Sequence, residues 1–169
     1  MLTTRSHHDA PVTSTATYSP CEAYRYALTR DWATGPRLLY VMLNPSKATE
    51  QANDPTIERC QRRAVQLGYG GVAVVNLFAW RETSPARLKQ ARDPVGPDND
   101  AQIIHAAGQC DAILAAWGVH GDHLDRAAEV KAQLLQTHTP LMALGQTRQG
   151  HPRHPLYVPY ATVPEPWPR

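Results

Sequence analysis

The sequence predicts one α/β domain of three layers, α/β/α, around a mostly parallel central sheet. Two observations carry this. Four short apolar runs recur along the 169 residues, separated by segments of helical periodicity. Spacing of that kind implies right-handed β-α-β crossovers. A composition of 42% hydrophobic and 19% charged residues also suits a single globular core.

Each element has a local reason. Residues 1–20 are rich in Ser, Thr, His and Pro and lack the apolar stretch of a signal peptide. They read as a flexible N-terminal arm before a single domain over 21–169. Glu22 to Trp32 alternates and carries aromatics, as an early, antiparallel strand does. Arg37 to Leu43 is a continuous apolar run stopped by Asn-Pro, which fits a strand buried on both faces. Asp54 and Pro55 open a helix to about Leu67, as N-cap and first helical residue. Ile57, Cys60, Ala64 and Leu67 share one face of it, and Gly68 to Gly71 end it.

Val72 to Phe78 is the second buried strand. Short helices follow over Pro85 to Arg92 and from Gly96-Pro97 to Gly108. Asp111 to Trp117 is the third strand, and residues 121–136 form an amphipathic helix through Leu124, Ala127, Val130 and Leu134. Pro140 to Leu144 is the fourth strand, and Leu156 to Val158 reads as a short fifth.

Composition excludes several classes. No apolar run approaches the ~18–20 residues that span a bilayer. The three cysteines are odd in number and far apart, so neither a disulfide framework nor a zinc site is expected. Packed thiols in a cytoplasmic protein are the expectation. A net charge of +2 permits contact with nucleic acid without demanding it. Phosphate-loop, dinucleotide and nucleophile-elbow motifs are absent from the sequence.

In open sheets of this kind ligands sit beyond the carboxyl ends of the strands. The segments there are Asn44-Pro45-Ser46, Ala79 to Arg81, Gly118 to His120 and Gly145 to His154. Asn44 either orients a ligand or caps the turn before Pro45, and its carboxamide suits both. Asn76 lies in an apolar strand and must be satisfied by a neighbouring loop or by a ligand. Asp54 is a helix cap, and a base if the loop folds back far enough to reach a reacting water. Trp117 either fills the core or stacks on a base. Gly145 to Pro155 holds two arginines and two histidines suited to phosphate. His120 with His123 and His151 with His154 lack a third ligand, so no metal is expected, nor any cofactor.

The string VMLNPSKAT…NDPTIERC…LGYGGVAVVNLFAWR…DPVGPDND…AAWG…GHPRHPLYV resembles a bacterial and phage family, domain of unknown function 1643. The motif order also resembles, more distantly, the uracil-DNA glycosylase superfamily. That superfamily's first loop is similar to Leu43-Asn44-Pro45-Ser46, its base-reading strand end to Val75-Asn76-Leu77, and a later strand end to Ala115-Ala116-Trp117-Gly118. Its His-Pro-Ser loop is similar to His151-Pro152-Arg153 or His154-Pro155-Leu156. Ser46 stands where that family has a small glycine, and the loop lacks its catalytic aspartate.

The resemblance implies a uracil-DNA glycosylase-like fold and hydrolysis of an N-glycosidic bond to a modified or damaged base, in DNA or in a nucleotide, as in DNA repair. Asn44 and Asp54 would be catalytic. Pro45, Ser46, Asn76, Phe78, Trp117 and Gly118 would line the base pocket. Thr147, Arg148, His151, Arg153 and His154 would contact phosphate or nucleic acid. The alternative is a non-catalytic nucleotide or nucleic-acid binding module. The partner is then nucleic acid or a nucleotide, with no membrane, and a monomer is the simplest state.

Overall fold

A computed structural model describes residues 1–168. Its core is one eight-stranded mixed sheet. The strands are β1 (Thr3–Asp9), β2 (Val12–Tyr18), β3 (Arg25–Asp31), β4 (Arg37–Met42), β5 (Gly71–Asn76), β6 (Ala112–Ala115), β7 (Leu141–Ala143) and β8 (Glu165–Pro166), in spatial order β1-β2-β3-β5-β4-β6-β7-β8. The four central strands β5, β4, β6 and β7 are parallel neighbours. The flanking pairings, β1 with β2, β2 with β3, β3 with β5 and β7 with β8, are antiparallel.

This overturns the expectation of a three-layer α/β/α fold with a mostly parallel sheet, and the uracil-DNA glycosylase-like architecture with it. Antiparallel pairings outnumber parallel ones, and the helices are few. The reason lies in residues 1–20, which form a hairpin on the sheet edge. Within β2, Ser14, Ala16 and Tyr18 are buried while their neighbours are not, a two-residue period that suits a half-buried strand. β1 is exposed along its whole length. The fifth strand expected over Leu156 to Val158 is instead a 3₁₀ turn at Pro155–Tyr157, since Pro155 sets its first helical residue and the His154 side chain caps it.

Helix α1 (Pro55–Gln66) covers one face and buries Ile57, Cys60 and Ala64 against Leu38, Tyr40, Val72 and Val74. Asp54 caps it, with Oδ1 accepting from the Ile57 N–H at 2.9 Å. Helices α2 (Pro85–Gln90), α3 (Asn99–Gln109) and α4 (Arg126–Leu135) supply Leu88, Ile103, Ala107, Val130 and Leu134 to the other face, beside Leu39, Val41, Val75 and Ile113. Parallel central strands leave all their carboxyl ends on one edge, and the connecting loops gather there. Among the described residues no helix is long and apolar enough to cross a membrane.

Candidate functional site

A cleft of about 730 Å³ opens at that edge. Such a volume suits a small organic ligand. The ends of β4, β5 and β6 form its floor, and α1 and the loop after β7 form its walls.

The segments after β4 and β5 are held together. Leu77 and Phe78 donate their N–H groups to the Met42 and Leu43 carbonyls, extending the ladder past the strands. Asn44 completes the tie, with Nδ2 donating to the Glu82 carbonyl at 2.5 Å and to the Pro45 carbonyl at 3.2 Å. Two carbonyls on one side fix the carboxamide's orientation, so Oδ1 is the atom Asn44 has left to offer, an acceptor. The Ser46 hydroxyl meets that of Thr83 at 3.2 Å, also on the cleft wall.

Asn76 lies deepest. It is 1% exposed, lines the cleft, and its Nδ2 has no hydrogen-bond partner among the described residues. Its backbone is held firmly: Asn99 Nδ2 donates to the Asn76 and Leu77 carbonyls, and Arg126 Nε to the Leu77 carbonyl at 2.8 Å. Arg126 is itself anchored by Asp100 and Glu129. An orphaned buried amide costs roughly 1–3 kcal/mol, so a rigid strand end here holds its side chain at a loss.

Asp54 lines the cleft with both oxygens engaged, Oδ1 by Ile57 and Oδ2 by the Ala48 N–H at 3.3 Å. Trp117 and Gly118 line the far side. Trp117 is 2% exposed and packs edge-on against Trp167, so it shapes the wall as part of the core. Gly118, at φ +74°, turns the chain where Cβ would meet the His154 Cβ at 3.5 Å, and its N–H donates to Pro152. The loop after β7 closes on itself through Thr147, Gly150 and His151 backbone bonds. It brings Thr147, Arg153 and His154 to the cleft. His154 Nδ1 accepts from the Leu156 N–H at 3.2 Å, which leaves the proton of the neutral ring on Nε2. Burial pushes the His154 pKa down, against the opposing charge of Asp54.

Nine residues read from the sequence thus share one cleft: Asn44, Ser46, Asp54, Asn76, Trp117, Gly118, Thr147, Arg153 and His154. Pro45 and Phe78 are buried behind it, with Phe78 against His123. Arg148 is exposed on the loop away from the lining, and His151 turns to Asp122, 3.5 Å away. Among the described residues no cluster of three or more His, Cys, Asp or Glu is placed to hold a metal.

His120, weighed above only as half of a metal pair, lines the cleft, and so do Arg25, Lys47 and Glu82, which the sequence did not single out. Arg25 was hidden by a bulge. Tyr18 pairs with Arg25 while Thr17 pairs with Ala27, so Tyr26 is the extra residue. That extra residue turns Arg25 onto the face of Tyr18 and Leu28, where strict alternation puts it on the other.

Residues 25–156 match the family described as protein of unknown function (DUF1643). The chain belongs to that family. Of the residues lining the cleft, only Tyr157 falls outside the DUF1643 span, whereas β1, β2 and β8 lie wholly beyond it. The cleft is therefore a feature of the DUF1643 domain and not of its flanks. No curated protein and no solved structure matches the chain, so neither comparison supports the uracil-DNA glycosylase resemblance.

Proposed function

We propose that the DUF1643 cleft binds a nucleotide, free or within a nucleic-acid strand, and hydrolyses its N-glycosidic bond. The observation behind this is Asn76, which lines the cleft and whose buried Nδ2 has no partner among the described residues. Heterolysis of a C–N glycosidic bond sends the electron pair onto the nucleobase. A fixed N–H donor facing a base oxygen or nitrogen stabilises that charge as it forms, and one such donor is worth roughly 10²–10³ in rate. Water adds through oxygen to the anomeric carbon, and its proton ends on the departing base. Asn44 Oδ1, held by its tethered amide, accepts a hydrogen bond from that water. Trp117 gives the base an apolar wall.

A second reading is favoured by the engagement of Asp54. With both oxygens capping backbone N–H groups, it is a weak candidate for a general base, and the cleft then binds a nucleotide without turnover. Chromatographic detection of free base across modified nucleotides and oligonucleotides separates the two. Hydrolysis predicts release from at least one substrate, lost in Asn44→Ala. Saturable binding with no base released from any substrate leaves the binding module.

A further inference from the structure

Arg25 stands under the loop after β4. It is 2% exposed, lines the cleft, and donates from Nη1 to the Ala48 carbonyl at 2.7 Å. Among the described residues its Nε has no partner, and no carboxylate lies within ion-pair distance of it. A buried guanidinium without a counter-ion is strongly unfavourable. Burial lowers its pKa only to about 10, so it stays charged at neutral pH, with the charge of Asp54 in its favour and those of Arg81 and Arg30 against.

The acids of the cleft are already committed. Asp54 accepts from Ala48 and Ile57, and Glu82 Oε1 accepts from the Thr83 and Ser84 N–H groups. Lys47 and Arg153 add two exposed cations at the cleft with no ion pair among the described residues. The unmet requirement of the site is therefore an oxyanion.

We infer that Arg25 anchors a phosphate subsite, with Lys47 and Arg153 at its mouth, so that the ligand is a phosphorylated nucleotide and not a nucleoside. This rests on the nucleotide reading above and names its substrate class. The guanidinium plane matches phosphate oxygens two at a time, and the surrounding cations favour the dianion over a single carboxylate. Asn76 and Arg25 then recognise opposite ends of one ligand, base and phosphate.

The Arg25 Nε–H resonance in the wild-type protein tests this directly, titrated with inorganic phosphate, a nucleoside monophosphate, the parent nucleoside and a 5′-phosphorylated oligonucleotide. A saturable shift with the phosphorylated probes and none with the nucleoside is expected. Whichever of the mononucleotide and the oligonucleotide saturates lower identifies the source of the phosphate. Arg25→Gln is expected to weaken mononucleotide binding about 10- to 100-fold, the range for hydrogen bonds to a charged group. Should that variant fail to fold, the wild-type titration decides alone. An Nε–H resonance unmoved by every phosphorylated probe overturns the inference, as does equal affinity for nucleoside and monophosphate. A phosphate-dependent shift without base release preserves the subsite and removes hydrolysis. Base release with no shift does the reverse.

Discussion

Replacing Asn76 by leucine separates a binding role from a structural one. The side chain is buried at the end of β5, and its Nδ2 has no partner among the described residues. Leucine is close to asparagine in shape, and such swaps misfit by less than about 1.5 kcal/mol. Removing an unsatisfied buried amide returns about 1–3 kcal/mol. Asn99 and Arg126 hold the Asn76 and Leu77 carbonyls, so the backbone does not depend on the side chain. The net expectation for Asn76→Leu runs from about 0.5 kcal/mol less stable to about 3 kcal/mol more stable. At about 2–4 °C per kcal/mol for a chain of this size, Tm rises by up to about 12 °C. Calorimetry reads that quantity, and the same protein should lose nucleotide binding by tenfold or more. A loss of stability beyond about 1 kcal/mol would mean that the amide is satisfied within the protein and is not held for a ligand.

Three further perturbations follow. Asp54→Ala removes the cap of α1 and the acceptor for the Ala48 N–H, so chemical denaturation should show a loss of about 1–2 kcal/mol, whatever its effect on catalysis. Burial depresses the His154 pKa below the ordinary 6.5, so the folded protein binds fewer protons than the unfolded chain. Stability should therefore fall as pH drops through and below 6.5, and His154→Gln should flatten that decline in a series of thermal melts. Gly121→Ala puts a Cβ 2.6 Å from Trp117 Cδ1, so the variant should lose about 1–3 kcal/mol and change its tryptophan fluorescence. An unaltered emission spectrum would show that the wall at Trp117 is not packed as described.

Much of the fold was legible because local chemistry and global packing agree. Asp54-Pro55 opens α1 as expected, and the apolar runs at Arg37, Val72, Asp111 and Pro140 became the parallel core. The hairpin of residues 3–18 was not legible: β1 makes no apolar face, and its Thr- and Ser-rich composition reads as a solvated arm. Sheet class failed with it, since those residues supply two of the antiparallel pairings. In the cleft, Asn44 and Asn76 stood out as polar residues ending apolar runs. The atoms that matter did not, because only the tethering by Glu82 leaves the Asn44 oxygen as its offering. Arg25 depends on a bulge that no period-two reading reveals.

The crystal structure of the protein with a bound nucleoside monophosphate is the most direct test. The ligand is expected in the cleft, its base edge about 3 Å from the Asn76 carboxamide, its phosphate on Arg25, and its anomeric carbon facing Asn44 Oδ1 across room for one water. A nucleotide seated elsewhere, or one in the cleft with its base turned away from Asn76, would contradict it.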